Sequence, residues 1–171
     1  FVALSTGRYF FGFAVGQLSY VGTGFLYVYD ALTSQTHITA SLLPLGLRTQ
    51  VSKSSIEGCS SFSFLSLDIN LCKEHTAPTH QTQHHTTTHN HIYQNHITIS
   101  ATFPDSTALT LNATLGTLTS PPGTLALSYP MGPRRAAYTH KSSGVAVSSG
   151  QAILTTPNGT KTTISLDNGV G

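Results

Sequence analysis

The residue pattern predicts an all-β protein, an antiparallel β-sandwich of jelly-roll type with a projecting N-terminal strand. Three observations carry that expectation. Thr, Val, Ile, Phe and Tyr recur in runs that alternate at period two, the spacing of a pleated, half-buried strand. No segment sustains an i, i+3, i+4 apolar pattern with caps, so no helix is expected. Turn residues punctuate the runs at "SPPG" (120–123), "YPMGP" (129–133) and Pro157-Asn158-Gly159.

Each strand has its own pattern. "GFLYVYD" (24–30) alternates Phe25, Tyr27 and Tyr29 against Leu26 and Val28. "THITASLL" (36–43) alternates around Ile38 and Ala40. "FSFLSLDINL" (62–71) puts Leu65, Leu67, Ile69 and Leu71 on one face, and the change of parity after Phe64 predicts a bulge near Phe64–Leu65. "HITISATF" (96–103) and "ALTLNATLGTL" (108–118) continue the alternation, and "TLALSY" (124–129) and "GVAVSS" (144–149) read as short strands. "QAILTTPNGTKTTISLD" (151–167) reads as a hairpin on a type I′ turn at Asn158-Gly159. This amounts to about nine or ten short strands in one domain.

Composition narrows the function. Only 8% of residues are charged and the net charge is +2, against a usual ~25% charged. Ser and Thr, roughly a quarter of the chain, take the place of charge. With 39% hydrophobic residues the chain is folded rather than disordered. The only basic pair, Arg134–Arg135, is no phosphate-tracking stripe, so nucleic acid is not an expected partner.

The chain starts at Phe1, which reads as the product of signal-peptide removal, and a secreted location is expected. Asn112-Ala-Thr and Asn158-Gly-Thr are N-glycosylation acceptors in that compartment. Cys59 and Cys72 flank a strand-like run whose ends a turn would bring together, and a disulfide there is worth roughly 3 kcal/mol.

Seven of the nine histidines fall between 73 and 96, and the His/Thr-rich stretch at about 73–91 reads as an exposed loop. His84, His85, His89 and His91 form at most a weak transition-metal site for Zn²⁺, Ni²⁺ or Cu²⁺, and no other cofactor is expected. No carboxylate pair, nucleophile elbow or phosphate loop is present, and "GTG" at 22–24 lacks a following helix, so no enzyme is expected.

Residues 9–29 contain no charge, enough to cross a membrane as a helix, but four glycines and period-two aromatics favour strands, so the chain is not expected to span a membrane. Within residues 1–16, Phe11, Phe13 and Val15 form a bulky face and Gly12, Ala14 and Gly16 a small one. Such a strand can complete its own sheet or that of the next subunit, by β-strand addition. Head-to-tail insertion does not close and makes a filament.

The layout of "FVALSTGRYFFGFAVG" ahead of a Thr-rich, charge-poor β-domain with sequons resembles the donor-strand-complemented extracellular filament subunits, the archaeal bundling pili and adhesive threads, and more distantly the bacterial biofilm-matrix fibre proteins. The resemblance implies a donor strand at 1–16 with Phe10, Phe11, Phe13 and Val15 at the subunit interface, and a sandwich domain at 17–171. It implies copies of the chain as partners in a head-to-tail homopolymer, contacts with neighbouring filaments, and a role in adhesion, bundling or biofilm formation. The alternative is a monomeric secreted β-sandwich module that binds carbohydrate or a surface partner.

Overall fold

A computed structural model describes residues 1–18, 20–54, 57–76, 92–117, 123–132, 135–143, 146–167 and 169, with the backbone alone at 75–76, 92–93, 117, 123–132, 135–143 and 146–147. The described chain is all β, in antiparallel sheets that pack as a sandwich.

The first sheet is a four-stranded meander of β1 (Val2–Ser5), β2 (Tyr9–Leu18), β3 (Val21–Asp30) and β4 (Gln35–Pro44), in that spatial order. The second is built from β5 (Thr49–Gln50), β6 (Gly58–Phe64), β7 (Leu67–Thr76), β8 (Ile92–Thr102), β9 (Ala108–Thr117), β12 (Ala146–Thr155) and β13 (Lys161–Ser165), in the order β13-β12-β9-β8-β7-β6-β5. A separate hairpin of β10 (Gly123–Gly132) and β11 (Arg135–Ser143) lies in the chain between β9 and β12. Every sheet neighbour is also a chain neighbour, except that β9 pairs with β12 around this hairpin. The described strands therefore connect as a meander, without the Greek-key crossing of a jelly roll.

The sandwich core follows the predicted alternation. Phe11, Phe13, Leu26 and Val28 of the first sheet meet Phe62, Leu67, Ile69, Ile97, Ile99, Leu109 and Leu111 of the second, all essentially removed from water. Burying each of these side chains contributes about 1.5–3 kcal/mol. Gly22 and Gly24 point inward and let the second sheet come close: a Cβ on Gly24 would stand 2.4 Å from Phe62, and one on Gly22 would strike Thr49. This is the reason for "GTG" inside an aromatic strand.

Four local expectations are corrected. The opening segment is not one projecting strand at 1–16: it turns at Gly7, where φ is +82°, and folds back as a β1–β2 hairpin in its own sheet. β2 then runs to Leu18, across the 16/17 boundary. The 62–71 stretch is two strands, not one bulged strand, because Leu65 adopts φ +49° and with Ser66 makes a tight turn, leaving Leu65 87% exposed. Residues 73–76 belong to β7, paired with β8 as far as Thr76–Ile92. The 156–160 connection is a five-residue loop rather than a type I′ turn, with positive φ only at Gly159.

Candidate functional site

The two outer faces of the sandwich have opposite chemistry. On the first sheet the period-two alternation turns Phe10, Gly12, Ala14 and Gly16 of β2, Thr23, Phe25, Tyr27 and Tyr29 of β3, and Thr36, Ile38, Ala40 and Leu42 of β4 outward. No Asp, Glu, Lys or Arg is among them. The register seats the β3 rings between small neighbours. Tyr27 stands opposite Gly12, and Phe25 is flanked by Ala14 and Ala40.

The rings meet one another across the strands. Phe1 and Phe25 approach with centroids 6.0 Å apart, and Phe10 meets Tyr27 edge-on at the same distance. The Phe1 and Phe10 rings both reach over Gly12, whose place a Cβ would share with them at 3.5–3.8 Å. The result is an aromatic platform without charged side chains, with Ile38 and Leu42 exposed at its β4 side.

The outer face of the second sheet is polar. Across its strands Asn70, Thr98, Asn112, Gln151 and Ser165 stand in one register row, and Asp68, Ser100, Thr110, Ile153 and Thr163 in the next. Asn112 is exposed near the middle of this face. Asn158 is exposed at the β12–β13 loop, its Oδ1 accepting from the Thr160 N–H at 3.1 Å. Both sequons are thus on the surface, away from the aromatic platform.

Two ion pairs lie at the β2–β3 and β4 ends of the first sheet, on its inward side. Arg8 donates from Nε and a terminal nitrogen to the two oxygens of Asp30 at 2.9 and 2.8 Å, across the start of the β2–β3 pair, and its guanidinium lies 4.8 Å from the Tyr9 ring centroid. The Arg8 bonds, opposed by partial desolvation and aided by the Leu32 N–H, hold the Asp30 carboxyl far below the usual carboxylate range. They also raise the Arg8 guanidinium. His37 of β4 meets Asp105 of the β8–β9 turn, Nδ1 to Oδ2 at 2.9 Å, and stacks on Phe103. Desolvation pushes the Asp105 carboxyl up, but the Thr107 N–H and hydroxyl and His37 outweigh it and leave it lowered.

The other sequence candidates distribute as follows. Phe11 and Phe13 are in the core, Val15 is partly buried against it, and only Phe10 faces outward. Cys59 and Cys72 are joined by a disulfide between directly opposed residues of β6 and β7. His84, His85, His89 and His91 lie outside the described residues, as does Arg134. Among the described residues no three His, Cys, Asp or Glu side chains gather as a metal site, and no helix is long and apolar enough to cross a membrane.

Among the described residues, two surface depressions can be outlined. One, of about 370 Å³, is lined by Asn112, Thr114, Ser149, Gln151 and Asp167. The other, of about 720 Å³, is lined by Ser52, Lys53, Glu57, Lys73 and Glu74. Sequence reasoning found the Phe25-Tyr27-Tyr29 face of β3 and the small face of β2 separately, and missed the platform because it did not set the strands side by side. The signal was available in the register of "YVGTGFLYVY" against "FFGFAVG" and "THITASLL".

No curated protein and no solved structure matches the chain. One family matches over residues 1–171, described as a domain of unknown function, DUF2804, and the chain belongs to that family.

Proposed function

We propose that the protein is a non-catalytic extracellular β-sandwich module that binds flat, uncharged polysaccharide through the outer face of β1–β4. The observation that carries this reading is the aromatic platform of Phe1, Phe10, Phe25, Tyr27 and Tyr29, whose outward strand positions carry no charged side chain. Aromatic rings stack on the C–H faces of sugar rings, and Thr23 and Thr36 supply hydroxyls beside them. A patch of this kind on a soluble domain marks a contact surface. A secreted location fits the disulfide and the two surface sequons, and glycans on Asn112 and Asn158 would solvate the other side. Depletion of the protein by insoluble cellulose, chitin or β-glucan, lost in Tyr27→Ala, tests the reading.

A second reading keeps the filament subunit. The observation that favours it is that β1 is a four-residue edge strand whose only strand partner among the described residues is β2 and whose Leu4 is a buried knob. Exchange of residues 1–5 between copies would polymerise the chain head to tail and support adhesion, bundling or biofilm. It is the weaker reading because Phe11 and Phe13 already fill their own core. Electron microscopy of the full chain and of a chain lacking residues 1–5 tests it: fibres only in the former support exchange, and no fibres in either remove it.

A further inference from the structure

We propose that β4 is a homotypic docking edge, pairing antiparallel with β4 of a second copy about a two-fold axis through Ala40. The inference concerns the sheet edge and does not rest on the polysaccharide reading.

An exposed edge offers unpaired N–H and C=O groups, and folded proteins guard such edges with short strands, charges, prolines or covering segments. The other described edges are guarded. β1 has four residues and lies against the C-terminal segment, where a Cβ on Gly169 would stand 2.9 Å from the Ser5 carbonyl. β5 has two residues. β13 has five and begins with Lys161. β10 contains Pro130, and β11 contains Arg135 and Lys141. β4 is ten residues long, has no Asp, Glu, Lys or Arg, keeps its register with β3 without a bulge, and has proline only at its last position. Among the described residues no strand pairs with it on the side away from β3.

The outward row of β4 is self-complementary. Centring the pair on Ala40 puts Ile38 opposite Leu42 of the second copy and Leu42 opposite its Ile38. These two side chains are 55% and 69% exposed, and this register covers both. Shifting the axis to residue 39 or 41 sets Ile38 against an alanine or a proline instead. On the inward side the same register faces Thr39 with Ser41 and His37 with Leu43, so no like charges oppose. Nine paired residues, 36–44, span about 30 Å. The two four-stranded sheets would become one eight-stranded sheet, with both aromatic platforms on the same side. Because the contact is isologous it closes as a dimer.

The test measures the mass of the full chain by sedimentation equilibrium from micromolar to about 0.2 mM, with hydrogen exchange at both ends of that range. The expected result is a concentration-dependent dimer in which alternate β4 amides gain protection. Ala40→Lys and Ala40→Glu, both at an exposed position, should each weaken dimerisation more than about tenfold, since like charges then meet on the axis. An equimolar mixture of the two variants should restore it. A wild-type chain that stays monomeric with unprotected β4 amides overturns the proposal. So does a dimer that is unaffected by Ala40→Lys but lost on removing residues 1–5, which assigns the contact to β1. The Tyr27→Ala variant should dimerise normally, which separates this edge from the platform.

Discussion

Phe62 of β6 lies in the hollow left by Gly24 of β3, a close approach of the two sheets: any Cβ at position 24 would stand 2.4–2.9 Å from three atoms of the ring. Phe62 is fully buried, and its ring is held by a packed core on every side, so it has no free direction in which to move. Gly24→Ala is therefore expected to destabilise the protein by about 1–3 kcal/mol, measured as a shift of the urea midpoint at constant slope. Gly116, where a Cβ meets nothing within 4 Å, is the control, and its alanine variant should stay within about 0.5 kcal/mol of wild type. Equal midpoints for both variants would mean that the sheets do not meet at Gly24.

The two ion pairs predict acid sensitivity with a definite sign. Asp30 and Asp105 both have folded-state carboxyls held below their ordinary range, by the Arg8 bonds in the first case and by Thr107 and His37 against desolvation in the second. The folded state therefore binds these protons less readily than the unfolded chain. Their stabilisation is complete above about pH 4 and is lost as pH falls through the lowered folded values. Thermal unfolding followed from pH 6 to pH 2 should show a decline that is shallower in Asp30→Asn, which starts from a lower stability. Asp105 is half exposed, so Asp105→Asn should cost under about 1 kcal/mol at neutral pH.

The Cys59–Cys72 bridge joins directly opposed residues of a hairpin. Replacing both cysteines with serine should lower stability by about 2–3 kcal/mol, read from guanidinium unfolding, while the far-ultraviolet dichroism keeps its strand signature. An unchanged midpoint would mean that the bridge adds nothing to pairing that the Leu65–Ser66 turn already secures.

Glycans, where attached, sit on the polar side. Asn112 belongs to the outer row of the second sheet and Asn158 to a remote loop, so enzymatic removal of N-glycans, or the pair Asn112→Gln and Asn158→Gln, should leave polysaccharide depletion unchanged. Lost binding would put the contact on the second sheet.

The all-β sandwich was legible because its cause is local: alternation such as Ile97-Thr98-Ile99 or Leu109-Thr110-Leu111 allows one buried face and one wet one. A turn between Cys59 and Cys72 was legible, but its place at Leu65–Ser66 was not, since no Gly, Pro, Asn or Asp stands at 64–67; a leucine with positive φ is held there by the pairing on both sides. The opening segment was half legible. Its bulky and small faces were read correctly from parity, and Phe11 and Phe13 do fill a core. That Gly7 would return the chain onto itself depends on the far partner of β1, which periodicity does not contain. The aromatic platform needed three strands in register, and register is a property of the sheet rather than of any one strand.

The outer face of β1–β4 is the proposed working surface. Depletion isotherms on insoluble cellulose, chitin and β-glucan, run for wild type, Tyr27→Ala and Phe25→Ala at low and high salt, address it most directly. The expected result is binding to at least one of the three that resists salt, since no charged side chain lies on the face, and that falls more than about tenfold in each variant while thermal stability is kept. Binding by the variants equal to wild type, or no depletion on any of the three surfaces, would contradict the account.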